Sequence, residues 1–163
     1  MLGNKTLASA LFVFVLALTG LVSGNAYADI QLTKTQDGSP LVIAKDMFDT
    51  PAAKEFLATG KNPYIGNADA IKIGKKRFGL YSCTACHGGA AEGAVGPGLT
   101  GPTFKYAKNA TNKGMFETIW HGTNGGMGAK AFGLMAPDDG LKVDELLKVI
   151  AFIRSNGKIT GNE

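Results

Sequence analysis

Cys83-Thr84-Ala85-Cys86-His87 is the stretch on which the reading of this chain turns. It holds the only two cysteines, separated by two residues, with an imidazole directly after the second. A disulfide across so short a loop would remove little chain entropy and stabilise little. A thiol redox pair belongs after a strand in an α/β pattern, whereas this motif follows a helical one. Zinc needs four ligands, and beyond the motif only His121 offers a ring nitrogen. What remains is the C-x-x-C-H attachment signature for haem. Each thiol adds to one vinyl group, the two-residue spacer lets both reach neighbouring vinyls, and the histidine lies beneath the iron.

The surroundings of the motif read as short helices joined by long loops. Asn67 caps a helix from Ala68 to about Tyr81, whose Ile71, Gly74, Phe78 and Tyr81 form one apolar stripe notched at Gly74. Thr50, Pro51 and Gly60 mark the start and end of an earlier helix over 51–59, with Phe56 and Leu57 turned to the body. A third helix runs from Lys113 to His121, capped by Thr111 or Asn112 and ended by Gly122. The last carries Val143, Leu146, Leu147, Ile150, Ala151 and Ile153 at helical spacing, with Asp144 and Glu145 near its positive end and Gly157 closing it. Glycine crowds 88–140, a turn-rich region that rarely builds a regular core of its own. Such a region suits a wrapping around a bulky cofactor. The strand signal is confined to Leu41-Val42-Ile43.

The first 28 residues read as a leader. Lys5 supplies the positive start, Leu11 to Leu18 the apolar run, and Ala26-Tyr27-Ala28 the small residues of a cleavage site. Thr19, Gly20, Ser23 and Gly24 break the apolar stretch below the roughly 20 residues that span a bilayer. The expectation is a cleaved signal peptide at 1–28, an extension at 29–66, the main domain at 67–157 and a tail at 158–163, with export to the periplasm and no stable membrane insertion after cleavage. The whole chain has 17 basic and 13 acidic residues, a net +4, and losing Lys5 leaves +3. Charge so mild and dispersed is not the basic stripe that nucleic acid demands.

These motifs resemble those of class I c-type cytochromes. Gly74, Phe78 and Cys83 are similar to the family's first helix leading into its haem motif, and Gly96-Pro97-Gly98-Leu99-Thr100-Gly101 resembles its G-P-x-L-x-G loop. The resemblance implies an all-α fold of short helices and long loops around one covalent haem c, here with an N-terminal extension. It also implies that Gly74 and Phe78 cross the last helix near Phe152. The Pro97 carbonyl is expected to accept a hydrogen bond from the free N–H of His87, fixing the ring and raising its basicity as a ligand.

A second axial ligand limits reorganisation when the iron changes charge, and a thioether raises the potential. Met115, Met127, Met135 and His121 are the candidates. Met115 sits at a core-like helical position, and His121 at a helix end where a capping role suffices. Met135-Ala136-Pro137 lies just before the last helix, where the family places its ligand methionine. Met127 has flexible glycine flanks. Met135 is preferred, with Met127 as the alternative.

Gly60-Lys61-Asn62-Pro63-Tyr64, the run Lys113 to Ile119, and Gly122 to Gly128 resemble cytochrome c-L, the group of electron acceptors for quinoprotein methanol dehydrogenases. The resemblance implies a mono-haem carrier that accepts single electrons from such a dehydrogenase and passes them to a downstream cytochrome c or oxidase. Members serving the calcium-type dehydrogenase are commonly acidic, and some carry extra cysteines. This chain departs in both respects, which points toward the lanthanide-type branch. Some relatives bind calcium beside a haem propionate, and no residue here is singled out for that. Lys105, Lys108, Lys113 and Lys130 are candidates to steer an acidic partner. Two alternatives stay open: a general class I cytochrome with another dehydrogenase or oxidase partner, and a haem enzyme with an open sixth site. A di-haem enzyme would need a second attachment motif, which the sequence lacks.

Overall fold

The computed structural model describes residues 29–158 and residue 162. The expected leader at 1–28 lies outside them, as does most of the tail. Five α-helices follow in order: α1 (Pro51–Thr59), α2 (Ala68–Leu80), α3 (Cys83–His87), α4 (Asn112–His121) and α5 (Val143–Ser155). Two 3-10 turns, Lys45–Met47 and Ala107–Ala110, lie in the connections. Among the described residues extended pairing is limited to isolated bridges such as Thr33 with Pro40, so Leu41-Val42-Ile43 forms no strand and the fold is all-α.

Local chemistry sets the helix limits. Thr50 Oγ1 accepts from Ala53 N–H at 3.1 Å, Pro51 occupies the first turn, and Gly60 ends α1 at φ +75°. Asn67 Oδ1 accepts from Ala70 N–H at 2.9 Å to open α2. Thr111 Oγ1 accepts from Gly114 N–H at 3.0 Å, which starts α4 one residue earlier than the sequence suggested. At α5 the Glu145 carboxylate accepts from Lys142 N–H at 3.2 Å, and Asn156 rather than Gly157 caps the far end.

The core forms where α2 crosses α5. Gly74 allows the approach: a Cβ there would fall inside the Lys148 carbonyl and 3.1 Å from the Phe152 Cβ. Phe78 and Phe152 meet beside it with ring centroids 5.3 Å apart and planes inclined at 58°, a geometry that suits the ring quadrupoles. A second aromatic group joins α1 to α4, with Phe56 4.7 Å from Phe116 and Phe116 5.3 Å from Trp120.

The extension belongs to this same core. Leu32, Leu41 and Phe48 are buried in one cluster with Phe116, Leu146 and Ile150, and each such side chain contributes roughly 1.5–3 kcal/mol on burial. Polar ties fix its path. Asn62, wholly buried, donates through Nδ2 to Leu147 O at 2.8 Å, and Thr33 N–H donates to Glu117 Oε1 at 2.7 Å. Glu117 is buried on α4 and paired with Lys108 at 2.5 Å and Lys113 at 2.6 Å. Burial works against its ionisation, but the hydrogen bonds from the two lysines outweigh it and hold the carboxyl below its ordinary value.

Candidate functional site

α3 is a short helix with a strained entry. Ser82 adopts a left-handed conformation at φ +58°, which turns the chain out of α2 and presents Cys83, Cys86 and His87 on one turn and a half. Cys83 is buried and Cys86 is exposed at the rim. Burial pushes the Cys83 thiol up from its ordinary value, and Lys130 nearby pulls it the other way.

The loop after α3 folds back over it. Gly93 N–H donates to His87 O at 2.7 Å, Gly96 N–H to Cys86 O at 2.8 Å and Leu99 N–H to Ala91 O at 2.8 Å. Gly96 is needed for this fit, because a Cβ would stand 3.1 Å from His87 Cε1 and from Cys86 O. The loop brings Pro97 O to 2.8 Å from His87 Nδ1. A carbonyl can only accept, so Nδ1 carries the proton and Nε2 keeps its lone pair for a metal.

His87 borders three cavities. One, of about 330 Å³, opens at the surface between Cys83, Cys86, Val95, Pro97, Gly126 and Met127. A second reaches toward Phe104, Tyr106, Asn109 and Thr118. The third is an apolar floor of Phe78, Met115, Ile119, Val149 and Ile153. His87 and Met127 line all three. Two thiols at the mouth, an imidazole nitrogen, a thioether and an apolar floor suit a planar, largely apolar iron macrocycle held covalently. Among the described residues no group of three or more His, Cys, Asp or Glu side chains is arranged for a separate metal ion.

The methionine preferred from the sequence lies elsewhere. Met135 lines a surface recess with Leu80, Tyr81, Ser82, Lys130 and Asp139, and is not among the residues lining the three cavities that His87 borders. The reason is the closed turn it belongs to: Met135 N–H donates to Ala131 O at 2.9 Å, and Phe132 N–H to Leu141 O at 3.0 Å. Met127 is carried by another tight turn, closed by Thr123 N–H to Met127 O at 2.8 Å. Met115 is only 1% exposed and packs in the floor. His121 turns away, with Nδ1 2.6 Å from Gln36 Oε1 of the extension. Of the four lysines suggested for steering, Lys108 and Lys113 are engaged by Glu117, while Lys105 and Lys130 border the cavity.

A covalently bound haem and a helical one-domain wrap of this kind define the c-type cytochromes, and the comparisons agree. The chain belongs to the cytochrome c family, whose model, Cytochrome c, matches residues 71–157; its members bind haem c covalently and transfer electrons rather than catalyse a reaction. Among individual relatives, the chain is similar to cytochrome c-L of Methylorubrum extorquens AM1, 43% identical over 106 residues, which cover 65% of this chain and 50% of that protein. The chain therefore spans about half the length of that curated relative. Two crystal structures are also similar. Cytochrome CL of the marine methylotrophic bacterium Methylophaga aminisulfidivorans MPT is 37% identical with a TM-score of 0.66, over 77% of this chain and 80% of that one. Cytochrome cL of Hyphomicrobium denitrificans is 40% identical with a TM-score of 0.67, over 78% and 73%.

Proposed function

We propose that this chain is a periplasmic mono-haem electron carrier that accepts single electrons from a quinoprotein methanol dehydrogenase and passes them to a downstream cytochrome c or oxidase. The observation that carries the reading is the placement of His87, Met127 and both cysteines on one cavity, Cys86 at its exposed rim and Cys83 buried within. Cys83 and Cys86 would form the thioether links and His87 Nε2 would hold the iron, with Pro97 O fixing its ring. Met127, which shares that cavity, would supply the thioether that holds the iron, in place of Met135. The bound haem supplies the one-electron couple. Around it the protein would exclude water with the Phe78, Ile119 and Val149 floor, and it holds His87 on α3 and Met127 on a closed turn, which would keep reorganisation small.

The rim favours brief encounters. Val95, Pro97, Gly125 and Gly126 are exposed and uncharged on the cavity that Cys86 also lines, with Lys105 and Lys130 at the margin. An uncharged contact flanked by cations lets an acidic donor be steered in and released. No helix among the described residues is long and apolar enough to cross a membrane, in keeping with a carrier that diffuses after its leader is removed.

The donor is tested by mixing the ferric protein with methanol and either a lanthanide-type or a calcium-type methanol dehydrogenase. Fast, saturable reduction by one of them is expected, and no reduction by either would overturn the donor assignment. The ligand is tested separately by Met127→Ala and Met135→Ala. Loss of the weak long-wavelength band of ferric iron bound to methionine is expected only in the first; loss only in the second would return the role to Met135.

A further inference from the structure

Arg154 is a buried cation whose partners among the described residues are all neutral. It lies on α5 next to Ile153 of the cavity floor, and only 4% of it is exposed. Its Nη2 donates to Asn109 O at 2.8 Å and Ala110 O at 3.2 Å, and its Nε to Asn112 Oδ1 at 3.3 Å. The guanidinium carbon stands 5.8 Å from the centroid of the Phe104 ring. The ion pairs of the described residues use Lys45, Arg77, Lys108, Lys113 and Lys148 as their cations, and Arg154 is in none of them.

A charge withdrawn from water is costly unless an opposite charge accompanies it. A buried lysine could shed its proton, but a guanidinium stays protonated at ordinary pH. Burial pulls its pKa down from the ordinary value without making it neutral. The direction in which this charge acts is given by its contacts. Asn109 and Phe104, both touched by Arg154, are walls of the cavity that His87 and Met127 also line. In surroundings of low dielectric a charge one residue behind such a wall is felt across it.

We propose that Arg154 is a positioning residue that tunes the haem: its buried positive charge, unpaired by any carboxylate of the described residues, raises the reduction potential and offsets the carboxylates that the cofactor brings. The sign follows from electrostatics, because the iron site gains a negative charge on reduction and a nearby cation stabilises that form. Arg154 acts through the Asn109 and Phe104 wall and needs no contact with the iron or its ligands. The inference rests on haem occupying the cavity, which covalent haem content measures independently of the potential.

The experiment is a redox titration of the purified haem protein as wild type, Arg154→Gln, Arg154→Lys and Asn112→Asp, with haem content and the low-spin spectrum recorded for each. Arg154→Gln is expected to shift the midpoint to lower potential at unchanged haem content, and Arg154→Lys to keep it near the wild-type value at acidic pH, where the lysine stays charged, and to let it fall as the lysine sheds its proton. Asn112→Asp leaves the arginine in place, keeps the acceptor for its Nε and sets a carboxylate against the guanidinium, so it too should lower the midpoint. It serves as well where the Arg154 variants fail to accumulate. A wild-type potential in Asn112→Asp or Arg154→Gln overturns the proposal, and so does a fall in Arg154→Lys as large as that in Arg154→Gln at acidic pH, where the lysine keeps its proton, which would make the arginine a scaffold rather than a charge.

Discussion

Two glycines of α2 should respond to the same substitution with opposite signs. At Gly74 an added Cβ falls inside the Lys148 carbonyl and 3.1 Å from the Phe152 Cβ. That obstacle is backbone, so no rotamer change relieves it and α2 must move off α5. Overpacking of a core costs about 1–3 kcal/mol and tends to the upper end when backbone must shift. Separating the helices also weakens the Phe78–Phe152 pair, worth about 0.5–1.5 kcal/mol beyond its area. Alanine returns about 1 kcal/mol of helix propensity. The balance for Gly74→Ala is a loss of about 2–3 kcal/mol, or roughly 10 °C in melting temperature for a domain of this size. Gly79 lies on the same helix with nothing within 4 Å of its prospective Cβ. There only the propensity gain applies, so Gly79→Ala should stabilise by up to about 1 kcal/mol. Thermal unfolding of the haem-loaded variants followed by circular dichroism separates the two. A Gly74→Ala variant that melts with the wild type, or a pair of variants that shift in the same direction, would refute the reasoning that close backbone approach fixes this crossing.

Glu117→Gln should destabilise by about 1–3 kcal/mol at neutral pH, the lysines' partial exposure keeping the figure modest. Because the folded carboxyl is held below its ordinary value, its contribution is full above the unfolded value and lost as pH falls through the folded one. The gap between wild type and variant in urea midpoint should therefore narrow between about pH 7 and about pH 3, and a gap that stays constant would show that the charge on Glu117 is not what matters. Asn62→Ala removes the donor to Leu147 O and the acceptor for Tyr64 N–H; a loss of about 1–3 kcal/mol is expected, measured as the urea midpoint of the haem-loaded protein, and no loss would detach the extension from the stability of the body.

The attachment motif and four of the five α-helices were legible from residues close in sequence, because the forces that set them are local, whereas the short α3 over the motif itself was not read. Two thiols and an imidazole within five residues declare their chemistry wherever they fold. Thr50, Asn67 and Thr111 cap by reaching backbone three residues on, and the notch at Gly74 shows in the apolar stripe of its own helix. Such interactions span fewer than five residues, so sequence order nearly equals spatial order.

Tertiary structure decided what depends on distant chain. Met127 and Met135 are both loop methionines, and only the two closed turns show which one shares a cavity with His87. The availability of Lys108 and Lys113 was settled by Glu117 and by Thr33, 84 residues from Glu117 in the chain. Arg154 reads in sequence as the basic residue of a last helical turn, the usual complement to a helix dipole, and its burial follows from the 3-10 turn at 107–110 folding over it. The extension reads as an appendage, yet Leu32, Leu41 and Phe48 fill the common core. In each case the deciding contact joins segments that only the closed fold brings together, and the free energy of burial and charge pairing belongs to that closure rather than to either segment alone.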